Sequence, residues 1–294
     1  MKTLAVLFSL NYFCSNQYNN QYNNQYNNQY KMDLQLQSKT AFISGSTQGI
    51  GYAIARQLLT EGAAVIINGR NQAKIEDALQ KLRQEIPQAE VSGIAADFSN
   101  VEQVNALISA LPQVDILINN VGVFELKAFT EITDEQWLSI FEINVMSSIR
   151  LSRALFPKMM ERGWGRVLFI SSESGVNIPE NMIHYGMTKT ALLSISNGLS
   201  KLTKNTQVTV NSILGGPTYS DGVAEVVSQI AQAQQLSEEQ MKELIIQNTN
   251  QTSLLQRFIA PSEIANMAVY LCSPLASATN GAITRVDGGV LTTL

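Results

Sequence analysis

The sequence predicts an α/β fold, a doubly wound parallel sheet with helices on both faces and a helical lid inserted late in the chain. Three observations lead there. Short apolar runs alternate with stretches of helical periodicity from Lys39 onward, a glycine cluster falls at the first strand-to-helix turn, and the conspicuous polar residues gather where the apolar runs end. The 294 residues, 45% apolar and 15% charged, suit one well-cored domain.

Residues 1–31 stand apart. A short apolar run, Met1 to Leu10, precedes a Gln-Tyr-Asn-Asn repeat between Gln17 and Tyr30 that cannot bury a core and reads as a disordered, low-complexity leader. The run is similar to a weak secretory signal, but it is short and no small-residue cleavage site follows it cleanly. Met32 is the plainer start, with Asp33 to Leu36 leading into the first strand.

Thr40 to Ser44 reads as that strand, and Tyr52 to Leu59 as a helix ended by Gly62. Between them lies Gly45-Ser46-Thr47-Gln48-Gly49-Ile50-Gly51. Glycines at such a turn let the backbone approach a pyrophosphate, which the free N–H groups of the helix start can bind; the alternative is an ordinary glycine-rich turn. A second strand, Ala64 to Asn68, ends at Gly69-Arg70, where NAD enzymes hold an acidic residue against the ribose. With no carboxylate there, Arg70 offers a planar cationic fork for a 2′-phosphate, which favours NADP(H); the rival reading lays Arg70 flat on the adenine, a contact open to NAD as well. A third strand, Val91 to Ala95, ends at Asp97-Phe98, which either meets the adenine edge or caps the helix beginning near Ser99. The fourth, Asp115 to Ile118, stops at Asn119-Asn120-Val121-Gly122.

One long helix is expected from Asp134 to Met160, carrying Asn144 between apolar neighbours. A fifth strand, Arg166 to Ile170, ends at Ser171-Ser172-Glu173-Ser174-Gly175, and Tyr185 follows Ser172 by 13 residues. Tyr185 and Lys189 are four apart on a helix, so the lysine charge is expected to pull the phenol pKa down from its reference of about 10. Gly45, Gly49, Gly51, Asn119-Asn120-x-Gly122, Asn144, Ser172, Tyr185 and Lys189 together resemble, in order and spacing, the short-chain dehydrogenase/reductase superfamily, whose fold is Rossmann-like. The likeness runs over residues 38–294 and is closest to 3-oxoacyl reductases.

That resemblance implies roles. Tyr185 would be the general acid in carbonyl reduction, Lys189 would lower its pKa and grip the nicotinamide ribose, Ser172 would orient the carbonyl, and Asn144 would hold a relay water. Asn120, Val121 and Gly122 would line the cofactor cleft, with Val121 in place of the usual alanine. After the sixth strand, Val208 to Ile213, the family's Pro-Gly is replaced by Gly215-Gly216 ahead of Pro217-Thr218, a turn that would close over the nicotinamide. Losing that proline is expected to loosen it. Tyr219 to Gln256 departs most from the family. Its two helical segments, Val223 to Ala233 and Glu238 to Asn248, the second opened by a capping-box pattern at Ser237, are placed to form a lid or else a surface insertion without function.

The leading expectation is an NADP(H)-dependent oxidoreductase acting on a carbonyl or secondary alcohol, with a 3-oxoacyl thioester among the substrates the resemblance suggests. A catalytically silent dinucleotide sensor is the alternative. A net charge of −4 gives no electrostatic case for nucleic acid, and no apolar run reaches membrane-spanning length. The one histidine, His184, rules out a zinc site built on several imidazoles, and no Gly-x-Ser-x-Gly elbow surrounds Ser172 to support a hydrolase. Cys14 and Cys272 lie in unlike contexts, so a reduced, cytoplasmic setting without a disulfide is expected. The resemblance implies a homotetramer or dimer, and apolar residues of the Trp137 to Phe156 and Ala191 to Leu202 helices could form its two-fold interface, although burial in the protomer's own core would give the same pattern.

Overall fold

Strand β1 (Thr40–Ile43) is an apolar run whose Ala41, Phe42 and Ile43 are fully buried, as a strand covered on both faces requires. The computed structural model describes residues 32–292, so the reading of residues 1–31 as a leader lies outside the described residues. Around β1 assemble β2 (Ala64–Gly69), β3 (Val91–Ala95), β4 (Ile116–Asn119), β5 (Trp164–Ser172), β6 (Gln207–Gly215) and β7 (Ile283–Val286). The sheet order is β3-β2-β1-β4-β5-β6-β7, every pair parallel. Chain order reverses between β1 and β4, and the carboxyl ends of strands at such a switch point open a crevice.

The main core lies between the sheet and the helices α5 (Ser147–Arg162) and α6 (Ile183–Ser200), where Phe42, Leu117, Val167 and Phe169 meet Leu151, Leu155, Phe156 and Leu192. These helices thus spend much of their apolar surface inside the protomer. An amphipathic helix packed on a sheet needs an apolar stripe of this kind, while Leu138 and Leu202 of the stretches read as a subunit interface stay exposed. Flanking elements include α1 (Gly49–Thr60), α2 (Gln72–Glu85), α3 (Val101–Ala110) and α9 (Pro261–Cys272). No helix among the described residues is long and apolar enough to cross a membrane.

Two expectations require correction. The single long helix is instead α4 (Asp134–Phe141), a π-helical turn over Glu142–Met146, and then α5. Asn144 sits in the π turn with no surface exposed. Its Oδ1 accepts from the Val123 N–H at 2.8 Å, and its Nδ2 donates to the Val123 carbonyl at 2.9 Å and to Thr188 Oγ1 at 3.0 Å. The extra residue in that turn accompanies a side chain satisfied from outside the helix, a frequent association at functional sites.

The turn after β6 is also firmer than expected. Gly215 pairs with both Ser172 and Val286, and the Gly216 N–H donates to the Val286 carbonyl at 3.1 Å. A Cβ on Gly216 would stand 2.6 Å from the Asp287 carbonyl oxygen, so the close backbone approach demands glycine there. These sheet hydrogen bonds hold the turn where the family's proline is missing.

After that turn come α7 (Asp221–Gln234) and α8 (Glu238–Thr249). Ser237 and Gln240 form the capping box read from the sequence, and Val227, Ala231 and Met241 pack with Tyr219 and Phe258 into a small core of their own.

Candidate active site

Two cavities follow one another across the carboxyl ends of the strands, and Asn120 and Gly122 line both. The first, about 570 Å³, is lined by Gly45, Thr47, Gln48, Arg70, Asp97, Phe98, Asn120, Val121 and Gly122. Gly45 and Gly49 have φ of +62° and +60°, a left-handed conformation that glycine adopts at little cost. A Cβ on Gly51 would stand 2.5 Å from the Gly45 carbonyl oxygen, so the helix start and the loop need that hydrogen atom. Asn120 clamps the loop from below, its Nδ2 donating to the carbonyls of Ser44 at 3.0 Å and Gly45 at 2.8 Å.

The other loop residues divide by task. Ser46 is fully buried, donating from Oγ to the Ile43 carbonyl and accepting from the Asn68 N–H, so it supports the loop from within. The Gly49 N–H, at the start of α1, donates to Asp221 Oδ2 at 2.6 Å and thereby ties the first residue of α7 to the glycine loop. Ile50 lines the second cavity. Arg70 is exposed at the rim, joined by Lys74 one turn into α2. Asp97 lines the cavity but does not cap the following helix: its Oδ1 accepts from the N–H and Oγ of Ser99 in the turn ahead of it, and Asn100 caps α3, which begins at Val101. Burial would raise the Asp97 pKa, but the bonds from Ser99 and the charge of Arg70 outweigh it and hold the carboxyl below its usual range. Phe98 belongs mainly to the core, at 3% exposure, and reaches the cavity only along its edge of the wall.

The second cavity, about 300 Å³, gathers Ser172, Tyr185, Lys189, Gly216 and Thr218. Ser172 is the last residue of β5, Tyr185 and Lys189 sit one turn apart near the start of α6, and Gly216 to Thr218 close the far wall. Lys189 Nζ donates to the Ile170 carbonyl at 3.0 Å and lies 5.6 Å from the centre of the Tyr185 ring. A Cβ on Gly122 would stand 3.1 Å from that ammonium, so glycine there leaves the lysine its place. Thr218 Oγ1 donates to the Gly216 carbonyl at 2.9 Å. Asn144 lines neither cavity and is a clip between Val123, which lines the first, and Thr188; its amide hydrogens and one carbonyl lone pair are used within the protein.

The electrostatics reverse one expectation. Tyr185 is not pulled below the usual phenol value. Burial raises its pKa, the charge of Glu173 raises it further, and the hydrogen bond with Ser172 recovers only part. Burial also pushes Lys189 down to about 8, with Glu173 partly opposing. Spacing on a helix could reveal the tyrosine and lysine as neighbours, but not that both lose hydration beside a carboxylate. His184 takes no part: it is buried, its ring edge-on to Trp137 at 5.8 Å, and the Ser172 hydroxyl donates to Glu173 instead. A Ser-His hydrolase has no basis in this arrangement.

The family profile described as Enoyl-(Acyl carrier protein) reductase matches residues 45–291, and the glycine loop, Ser172, Tyr185 and Lys189 all fall within it. The chain belongs to the short-chain dehydrogenase/reductase family. An uncharacterised oxidoreductase of Bacillus subtilis, YvrD, is 45% identical over 90% of this chain and 100% of its own length. The 3-oxoacyl-[acyl-carrier-protein] reductase FabG of Aquifex aeolicus is 28% identical over 88% of this chain and 100% of its own. Among solved structures, L-sorbose reductase from Gluconobacter frateurii complexed with NADPH and L-sorbose superposes with a TM-score of 0.84 at 30% identity, covering 90% of this chain and 100% of that one. The parallel sheet of this family is the one observed here.

Three lining or bridging residues escaped the sequence reading. Glu173 and Lys74 carry no motif of their own, and the contact of Asp221 with Gly49 spans 172 positions. The only signal for Glu173 was a carboxylate embedded among serines at a strand end.

Proposed function

We propose that the protein is an NADP(H)-dependent oxidoreductase that transfers hydride between the nicotinamide and a ketone or secondary alcohol. The observation that carries this reading is the convergence of Ser172, Tyr185 and Lys189 on one cavity, joined to the glycine-loop cleft through Asn120 and Gly122. The NADPH complex of the sorbose reductase and the oxidoreductase names of the relatives support it. When bound, the dinucleotide supplies the hydride, and the protein supplies binding, orientation and proton control.

The residues present fit such a group. Gly45, Thr47, Gln48, Ile50 and Asn120 to Gly122 would hold its phosphates and riboses, Asp97 and Phe98 would border the adenine, and Lys189 and Thr218 would grip the nicotinamide end. Tyr185 and Ser172 supply two hydroxyl donors to the carbonyl oxygen, where negative charge grows during reduction, once Ser172 turns its one hydroxyl hydrogen from Glu173, its acceptor in this structure, to the substrate. Tyr185 then releases its proton to that oxygen. Its raised pKa keeps it protonated at neutral pH, and a charged Lys189 offsets the phenolate as it forms. Asn144 fixes Val123 and Thr188 through its side chain and, in the role the resemblance gives it, would hold the relay water.

A panel of ketones, ketoses and 3-oxoacyl thioesters with NADPH, followed by absorbance, tests the activity. Oxidation of NADPH by at least one carbonyl is expected. Dinucleotide binding without turnover across the panel would favour the silent sensor instead.

The pH dependence follows from Lys189, which burial pushes to about 8. Its charge is present below that value and lost above it, so support for the phenolate falls as pH rises. The kcat/KM for reduction is expected to be level near neutrality and to fall roughly tenfold per pH unit well above the lysine pKa. A profile flat to about pH 10, the ordinary lysine range, would remove the ammonium from the mechanism.

The cofactor assignment rests on Arg70 and Lys74 at the rim of the adenosine side. Arg70→Glu replaces a charge-assisted phosphate partner with a repelling carboxylate. NADPH affinity is expected to fall about a hundredfold, with NADH changed little, by fluorescence titration. Equal losses for both, or wild-type binding of NADH as tight as NADPH, would overturn NADP selectivity.

Val223 and Asn250 bring the lid segment into the lining of the second cavity, and Asp221 fastens it to the glycine loop. Replacing residues 222–251 with a short glycine-rich linker is expected to raise KM and change selectivity while dinucleotide binding survives. An unchanged substrate profile would make the segment a mere surface insertion.

A further inference from the structure

The second cavity contains a half-buried acid that the hydride-transfer chemistry leaves without a task. Glu173 follows Ser172 directly, opens the short turn Glu173–Gly175 and lines the cavity beside Tyr185 and Lys189. Its carboxylate accepts hydrogen bonds from Ser172 Oγ and, at 3.1 Å, from Ser174 Oγ. None of the ion pairs among the described residues includes it. Its charge acts on Tyr185 and Lys189, so it belongs electrically to the reacting centre.

Burial pushes the Glu173 carboxyl above the usual range, and only its donors, the hydroxyls of Ser172 and Ser174 with the N–H groups of Ser174 and Glu173, act against that, so its charge depends on keeping them. A carboxylate taken out of water without a paired cation is costly, and the cost falls with every further donor it receives. The substrate is the natural source. A carbonyl oxygen seated on Ser172 and Tyr185 takes the one Ser172 hydroxyl hydrogen away from Glu173, whose carboxylate then stands next to the carbonyl and one donor short. A donor that reaches it must then sit close to the carbonyl, on the adjoining carbon. The opposite preference also follows. Lys189 is the only cation in the cavity lining, and its Nζ already donates to the Ile170 carbonyl, so little would offset an acid group brought next to Glu173. Phe124, Met182 and Val223 line the same cavity with apolar surface, which suits a short carbon skeleton.

Resting on the carbonyl-reductase reading above, we propose that Glu173 is a specificity-determining residue: it selects uncharged ketones bearing a hydroxyl on the carbon adjoining the carbonyl, which donates to the carboxylate, and it disfavours ketones bearing a carboxylate at that position. Ser172 and Tyr185 still act on the carbonyl oxygen, and Glu173 reads its neighbour.

Matched substrates test this. Initial rates with NADPH are measured for hydroxyacetone against acetone, for 3-hydroxy-2-butanone against 2-butanone, and for pyruvate, using the wild-type enzyme and Glu173→Gln. For the wild type, kcat/KM is expected to favour each hydroxyketone over its deoxy partner by roughly 10- to 100-fold, the range of a hydrogen bond to a charged group, with pyruvate poorest. In Glu173→Gln that ratio should collapse at least tenfold and pyruvate should improve relative to hydroxyacetone, while NADPH affinity by fluorescence titration is unchanged. Any disturbance of Ser172 by the substitution strikes both members of a pair alike, so the ratio isolates recognition of the hydroxyl. Ketone reduction without discrimination by the wild type, or a ratio that survives in the variant, overturns the assignment of Glu173 and leaves the reductase reading intact. Absence of turnover on every carbonyl, with NADPH bound, overturns the reductase reading and this assignment with it. If Glu173→Gln fails to fold, the same ratios in Glu173→Asp, which withdraws the carboxylate by one methylene, decide the assignment: a surviving ratio overturns it.

Discussion

Replacing Tyr185 with phenylalanine is expected to lower the turnover of any ketone by about a thousandfold or more, within the span of positioned general acids. The ring and its edge-on contact with Phe124, at 6.1 Å between centroids, are kept, so the cavity wall survives. Only the hydroxyl is lost, and with it both the proton and one of the two donors to the developing oxyanion. Dinucleotide affinity should change by no more than about twofold, because the expected grip on the nicotinamide end comes from Lys189 and Thr218. The measurement is steady-state reduction alongside a fluorescence titration of NADPH. Retained turnover would end the mechanism, and loss of binding together with rate would make Tyr185 a structural residue.

Ser172→Ala comes second, with an expected fall in kcat of two to three orders of magnitude, by analogy with other oxyanion donors. The structure adds a complication. Ser172 Oγ also accepts from the Ser174 N–H at 3.1 Å and donates to Glu173, so alanine removes the cap of the short turn Glu173–Gly175 as well. A stability loss of about 1 kcal/mol is expected from the cap alone, visible as a small drop in Tm. The catalytic share is read by comparing kcat with Tm and with NADPH affinity. A kcat loss that disappears when the assay is cooled well below the melting range would mean that Ser172 only holds the turn.

The two substitutions differ in what the sequence could say about them. Tyr185 and Lys189 announce themselves, because a spacing of four on a helix is local geometry and the resemblance supplies their roles. Ser172 is legible as a strand-end residue at a family spacing. Its entanglement with Glu173 is not, since hydrogen-bond partners in a buried turn depend on which way each side chain is held.

The direction of the tyrosine shift shows the same boundary. From the sequence, a lysine four residues on should lower the phenol pKa. In the folded protein, burial dominates and Glu173 adds to it, because the energy of a charge depends on how much water surrounds it and on every charge nearby, not only on the closest one along a helix.

The sequence alone determined what local rules govern. Apolar runs bounded by turn residues marked the strands from β1 to β6, the Ser237 capping box marked the start of α8, and positive-φ glycines marked the loop at the head of α1. Each depends on contacts within a few positions, so it is written in consecutive residues. Only the tertiary structure decided the rest: the π turn that turns Asn144 toward Val123, the anchoring of Gly216 against Asp287, the reach of Asp221 to Gly49, and the placing of Glu173 in one cavity with Ser172, Tyr185 and Lys189. These depend on segments brought together by packing, where burial and close backbone approach set the energies and chain separation sets nothing.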